Sequence, residues 1–335
     1  MKRALLSQLC CPQDEGSLEL RVIEDIKEEI LVGELTCVNC KKVYSIKDGI
    51  PRFLPEDHYS SSFGWQWNRY EKTQLDSHTG LSITEDRKNQ VCSWTKPDKG
   101  WGMEAGCGAG RFSEILAKES MDWVCVDSSS AVEANFRNNG HRKNIHIVQA
   151  DLRYPPFRQK NFDRLICLGV LQHTPDPKES FFRLLPLLAD HGEFAFDIYS
   201  LNWDTFLWSK YWFRPFTKNI PDEKLFEKLK TWVPVLIRCH DILRLIPWIG
   251  RRLAHRLIPV CNYKYSFPFS KEQNLEWALL DTFDMLAPAH DHPVTGKGLR
   301  SWLENVSERK TFFRAGPNGW VGMVGAKVGK DSSSP

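Results

Sequence analysis

The chain lacks a long apolar run. No stretch of about 18 consecutive apolar residues occurs, so no membrane-spanning helix is expected. The opening Met-Lys-Arg-Ala-Leu-Leu-Ser-Gln-Leu-Cys is too short and too broken in its apolar part for a signal peptide. A cytoplasmic location is the expectation. A dominant charge is also missing: 45 Lys and Arg stand against 42 Asp and Glu, a net charge of +3. This excludes a global pull toward nucleic acid or anionic lipid, while leaving room for a local basic patch. Nor is there a disulfide framework. Cys92, Cys107, Cys125, Cys167, Cys239 and Cys261 fall singly, several inside strand-like apolar runs, as buried thiols of a reducing compartment do. There is no internal repeat, and only the serine-rich Asp331–Pro335 tail reads as disordered. Tryptophan, in contrast, is plentiful, with 13 copies. Such rings fill cores and also line apolar pockets.

Five regions follow from composition and pattern. Residues 1–55 form a small β-rich unit with paired cysteines. Residues 56–98 are aromatic and polar, without clear strands. Residues 99–199 alternate strand and helix signals, 200–286 are a helical insertion rich in aromatics, and 287–330 end in two short β runs. In 99–199 the expected strands are Trp101–Glu104, Trp123–Asp127, Ile145–Ala150, Phe162–Gly169 and Gly192–Tyr199. Helices are expected between them, at Arg111–Glu119 and Asp176–Leu188 among others. Strand–helix alternation of this kind implies a doubly wound α/β fold, with a parallel sheet covered on both faces. In such sheets a ligand sits beyond the carboxyl ends of the strands.

The first strand runs into Glu104-Ala105-Gly106-Cys107-Gly108-Ala109-Gly110-Arg111. Glycines at alternate positions permit a tight turn and close approach of a ligand to the backbone. A helix N-terminus follows and favours a negative group. Asp127 closes the second strand, where a carboxylate can accept both hydroxyl protons of a ribose. Asp151 follows the third strand, placed to accept from the exocyclic amine of an adenine that Leu152 would touch. The fourth strand ends in Gly169-Val170-Leu171-Gln172-His173-Thr174-Pro175-Asp176-Pro177. The spacing Gly-x-Gly-x-Gly differs from the dinucleotide pattern Gly-x-Gly-x-x-Gly.

This series resembles the class I S-adenosylmethionine-dependent methyltransferases. The resemblance implies a Rossmann-like seven-stranded sheet with helices on both faces, and S-adenosylmethionine as cofactor. It implies that Glu104, Gly106, Cys107, Gly108 and Gly110 hold the methionine portion, bordered by Gly169. Asp127 would hold the ribose, and Asp151 and Leu152 the adenine. A sulfonium methyl is already activated, so positioning is a large share of such catalysis. A hydroxyl or carbon-acid acceptor also needs a base. His173 is the candidate by position; its alternative role is to pack or cap the helix opened by Asp176.

Cys10-Cys11-Pro12-Gln13-Asp14 and Cys37-Val38-Asn39-Cys40 are followed by Asp48-Gly49-Ile50-Pro51. Paired thiolate knuckles are the pattern of a four-ligand zinc ribbon. The stretch resembles the small Trm112-like domain. That family's first knuckle is Cys-Pro-x-Cys, whereas Asp14 stands here at the fourth position. The resemblance implies Cys11, Cys37 and Cys40 as ligands of a structural zinc, with Asp14 or Cys10 completing the set.

Two segments carry further alternatives. The rings of Phe63-Gly64-Trp65-Gln66-Trp67-Asn68-Arg69-Tyr70 either cover the cofactor or anchor the N-terminal unit to the sheet. The insertion 200–286 is a lid over the acceptor pocket, a basic surface for peripheral membrane contact, or a plain helical cap. His290-Asp291-His292 lines the pocket, orders a loop, or holds a metal. The expected function is methyl transfer to a small-molecule, glycan-like or lipid-linked acceptor. The alternatives are an RNA methyltransferase gripping nucleic acid with the zinc-like unit, which the near-neutral charge disfavours, and a non-catalytic cofactor-binding protein. The sequence sets neither the acceptor nor the oligomeric state.

Overall fold

The computed structural model describes residues 1–27, 29–54, 61–95, 99–306, 308–317 and 319–327, and for Ser61, Ser62 and Phe63 the backbone alone. The Asp331–Pro335 tail and the ring of Phe63 lie outside the described residues. Four strands come first: β1 (Leu18–Ile26), β2 (Glu29–Cys37), β3 (Val43–Lys47) and β4 (Ile50–Arg52). Three helices follow, α1 (Ser61–Arg69), α2 (Asp76–Thr79) and α3 (Ile83–Val91). Strands and helices then alternate through β5 (Trp101–Ala105), α4 (Arg111–Leu116), β6 (Asp122–Asp127), α5 (Ala131–Asn139), β7 (Ile145–Gln149), β8 (Phe162–Cys167), α6 (Pro177–Leu184) and β9 (Leu188–Ile198). The insertion contributes α7 (Ser209–Thr217), α8 (Asp222–Leu243), α9 (Gly250–Leu257) and α10 (Lys271–Leu286). The chain closes with α11 (Gly296–Glu304) and the hairpin β10 (Arg309–Gly316) and β11 (Gly319–Lys327).

The central strands show why the sheet is covered on both faces. In β6 every side chain from Trp123 to Val126 is buried. Val124 and Val126 pack into one core, Trp123 and Cys125 into another on the opposite face. That split follows from the two-residue period of a strand. Strand β5 pairs in parallel with β6 on one side and β8 on the other, so the chain order reverses there. A crevice therefore opens beyond the carboxyl ends of these strands.

The sheet is larger than the seven strands expected. The order is β1-β2-β3-β4-β7-β6-β5-β8-β9-β11-β10, eleven strands in one sheet. The last seven in that order form the α/β part; β1 to β4 extend its edge through Arg52 opposite Gln149. Covering an open edge removes a row of unpaired backbone groups. Arg52 Nη1 donates to Gln149 Oε1 at 2.9 Å, and Lys2 Nζ donates to the carbonyls of Gly140 and Ile145 at 2.9 and 2.7 Å. Leu5, Leu9, Ile30 and Leu35 share one apolar core with Val148 and Phe157. The N-terminal unit thus shares the sheet's core rather than standing apart from it.

Helix boundaries also moved. The helix expected over Asp176–Leu188 ends at Leu184, because Pro186 follows and cannot donate to an α-helical ladder; Leu185–Leu187 form a single 3-10 turn. Its start is set locally: Pro177 occupies the first turn and the Asp176 carboxylate accepts from Glu179 N at 2.9 Å. Helix α10 begins with a Ser270–Gln273 capping box, and α11 with Thr295 accepting from Gly298 N at 3.0 Å.

Candidate functional site

The glycine turn is shaped by backbone conformations that side chains resist. Gly106, Gly108 and Gly110 have φ of 80°, 50° and 90°. A Cβ on Gly106 would lie 2.2 Å from Val170 Cγ2, and one on Gly110 2.1 Å from Asn135 Oδ1. At Gly108 the same atom meets nothing nearer than Trp67 Nε1 at 3.6 Å. Two glycines are therefore required by packing, and the middle one leaves its face open to the crevice beneath the Trp67 indole. We expect Gly106→Ala to destabilise the fold by about 1–3 kcal/mol, through the left-handed backbone and the Val170 contact together. Urea unfolding monitored by circular dichroism checks this; an unchanged midpoint contradicts it.

Each carboxylate named from the sequence is placed differently. Asp127, at the end of β6, accepts from Gly108 N at 2.9 Å and from Ser129 N and Oγ at 2.8 and 2.7 Å. It ties the glycine turn to the second strand and lines the crevice. Glu104 lies buried behind the turn, with Oε2 accepting from Ser113 Oγ at 2.5 Å and Oε1 unpartnered. Burial pushes its carboxyl up to about 7. Asp151 is buried as well, but it does not line the crevice: Arg153 grips its carboxylate through Nη2 at 2.7 Å and Nε at 3.1 Å. Leu152 and Gly169 do line it. Neither Glu104 nor Asp151 is among the side chains lining the crevice.

The crevice is one cavity of about 950 Å³ running from the glycine turn to the insertion. Beyond Gly169 its walls carry groups that were not singled out in the sequence. Asp197, near the end of β9, accepts from Gly169 N at 2.5 Å and pairs with Arg87 at 2.7 Å. Its place at the carboxyl end of the fifth strand was the available signal. Asp281 and Asp284 stand three residues apart on α10 and both line the chamber. Asp281 accepts from Tyr263 Oη and from Gln74 Nε2, the latter at 2.8 Å. Burial pushes Asp281 up to about 6 and also raises Asp284. Lys210 lies between the Tyr199 and Tyr211 rings, 4.5 and 4.7 Å from their centroids, and pairs with Asp291 at 2.9 Å.

His173 lines this chamber. Its Nδ1 lies 3.1 Å from the His290 carbonyl oxygen, which can only accept. Nδ1 therefore donates, and in the neutral ring the lone pair sits on Nε2. The ring meets Tyr199 edge-on at 5.6 Å. Of the three readings of His290-Asp291-His292, the structure has Asp291 lining the chamber and the His290 carbonyl fixing His173. Neither imidazole joins a metal-ligand cluster among the described residues.

The N-terminal unit brings Cys11, Asp14, Cys37 and Cys40 together, with their ligand atoms all within 4.8 Å of one another. Cys11 Sγ and Cys40 Sγ are 3.7 Å apart, and Cys37 Sγ donates to Asp14 Oδ1 at 3.3 Å. Three thiols and one carboxylate at these separations fit a tetrahedral zinc. Cys10 is buried outside the cluster, and Asp14 stands in it as the fourth candidate ligand. Gly16 N donates to Asp14 Oδ1 at 2.9 Å and orients that carboxylate.

These features place the chain among known proteins. Residues 103–196 match the family described as methyltransferase domain, and residues 2–49 match the family described as Trm112p-like protein. The chain thus carries a segment similar to methyltransferase domains and, before it, a segment similar to Trm112p-like proteins. It is 27% identical over 109 residues to a ubiquinone biosynthesis O-methyltransferase of Coxiella burnetii, covering 32% of this chain and 47% of that protein. It is 30% identical over 98 residues to a tRNA U34 carboxymethyltransferase of Nautilia profundicola, 28% of this chain and 33% of that protein. Among solved structures, the phosphoethanolamine N-methyltransferase 1 of Haemonchus contortus aligns at a TM-score of 0.34 and 19% identity, over 43% of this chain and 33% of that one. The chain spans about half the length of the first curated relatives it matches.

Proposed function

We propose that this chain transfers a methyl group from S-adenosylmethionine to a small or glycan-like acceptor. The observation that carries the reading is the single cavity joining an open glycine turn to a chamber of carboxylates and rings. The bound cofactor would supply a sulfonium methyl, activated by its positive charge. The exposed backbone of Gly108 and the carboxylate of Asp127 would hold the adenosyl part, with Leu152 along the base. Gly106, Cys107 and Gly169 would border the methionine part. Glu104, Gly110 and Asp151 hold these walls in place from behind.

The insertion would act as a lid. Tyr199, Lys210, Tyr263 and Asp284 face the chamber and would orient the acceptor beside the Gly169 turn. His173 would take the acceptor's proton at Nε2, while Nδ1 keeps its bond to the His290 carbonyl. Excluding water and fixing the acceptor in line supply the larger share of the rate. The chamber's enclosure by the insertion favours a compact acceptor over a polynucleotide.

The test is incubation with methyl-labelled cofactor and fractionated cell extract, followed by mass spectrometry of the labelled product. Label in a small molecule or glycan supports the reading, and label confined to RNA overturns it. For His173→Gln we expect kcat to fall about 100-fold with S-adenosylhomocysteine affinity unchanged. An unchanged kcat removes His173 from the chemistry.

A further inference from the structure

We propose that the outer surface of the insertion docks on an anionic lipid bilayer, with the mouth of the chamber facing the lipid–water boundary. The surface is apolar at its tips. Trp248 is 100% exposed, Trp203 87%, Leu245 79%, Phe216 76% and Phe206 68%. Exposed apolar groups are ordinary when scattered, but several large rings on one insertion mark a contact surface. The loop between α8 and α9 reads Arg244-Leu245-Ile246-Pro247-Trp248-Ile249-Gly250-Arg251-Arg252. Its apolar tip, with Ile249 also exposed, is bracketed by arginines, and Arg251 and Arg252 are exposed beside it.

The loop is ordered by its own backbone. Leu245 N donates to the Ile242 carbonyl at 3.0 Å and Ile249 N to the Pro247 carbonyl at 2.7 Å. Trp248 is held outward in the left-handed region, at φ 66°, a conformation that side chains resist. An indole fixed in this way suits the interfacial layer of a bilayer, where tryptophan is enriched.

Charge complementarity selects the occupant. From Val233 to Val260 the chain carries five arginines and a single carboxylate, Asp241. Basic residues beside apolar tips are the pattern of a surface that adsorbs to anionic headgroups. No helix among the described residues is long and apolar enough to cross a membrane, so the contact lies on the surface. The same segments frame the chamber. Asn202, Asp204, Thr205 and Trp208 line it, while their neighbours Trp203, Phe206 and Leu207 face outward. Arg256 of α9 pairs with Asp204, and Trp208 meets His255 of α9 at 5.1 Å. Docking of this rim would therefore set the opening against the headgroups.

The experiment is co-sedimentation with vesicles, read without cofactor. Wild-type chain should pellet with phosphatidylglycerol-containing vesicles, more weakly with phosphatidylcholine alone, and less at high salt. Trp248→Asn should weaken partitioning about 10-fold, the asparagine being tolerant of the left-handed backbone. Arg251→Glu with Arg252→Glu should weaken it about 100-fold on the anionic vesicles. Circular dichroism melting of both variants tests that they fold, with no cofactor in the measurement. Wild-type chain left in the supernatant overturns the proposal. Equal partitioning of the variants overturns it as well. So does a self-associated species that these variants dissolve while vesicle binding is unchanged, which assigns the face to a second copy. Because no methyl transfer enters the readout, failure here leaves the catalytic reading intact, and failure of that reading leaves docking intact.

Discussion

Asp127→Ala is expected to weaken S-adenosylhomocysteine binding at least ~100-fold while leaving the fold in place. The side chain sits on the carboxyl end of β6 and reaches back to Gly108 N at 2.9 Å. Losing it would remove two charge-assisted hydrogen bonds to a ribose diol, worth about 1.5–3 kcal/mol each. It would also remove one tie between the glycine turn and β6, leaving the bonds from Gly106 N and Cys107 N to the Val126 carbonyl. The structural cost is smaller, because Asp127 is only half-buried and water can reach the donors left behind. Asp127→Asn keeps one acceptor oxygen and should lose less. Titration calorimetry with both variants, beside a urea melt, separates the two effects. Unchanged affinity in Asp127→Ala refutes the ribose assignment.

The second large effect concerns the cysteine cluster. Cys37→Ser, or chelation of the wild-type chain, should abolish a stoichiometric zinc and lower Tm by ~10 °C or more. The Cys37 thiol is buried and lies against Asp14, and Cys11 bonds to the Tyr44 hydroxyl at 3.2 Å. Without a cation, a half-exposed cluster of three thiols and a carboxylate gains little, whereas three thiolates and a carboxylate around zinc would cross-link the Cys11 turn to β2 and its following turn. Those elements share their core with β7, so loosening them would also expose the sheet edge. Metal analysis and differential scanning calorimetry report the two outcomes separately. A metal-free chain with an unchanged Tm on substitution would contradict a structural zinc.

Much of this site was legible in the sequence for physical reasons. Alternate glycines before a helix, with Asp127 closing the next strand, are local patterns that survive folding. The three cysteines were equally plain, and the choice between Asp14 and Cys10 needed three dimensions: Gly16 N holds the Asp14 carboxylate beside the thiols, while Cys10 is buried outside the cluster. Asp151 was placed correctly at a strand end, but the sequence did not show that Arg153, two residues on, would hold its carboxylate. The seven strands of the α/β part were expected as such. Their continuation into β1 to β4 depends on one backbone pairing at Arg52, which no periodicity announces. The chamber beneath the insertion was the least legible part. Its groups come from α3, the segment after β9, α10 and the loop before α11, distant in sequence and joined only by packing.

The most direct measurement is calorimetric titration of S-adenosylhomocysteine into the purified wild-type chain. The account predicts saturable binding at one site per chain, competed by S-adenosylmethionine. A folded chain that takes up neither compound would contradict it.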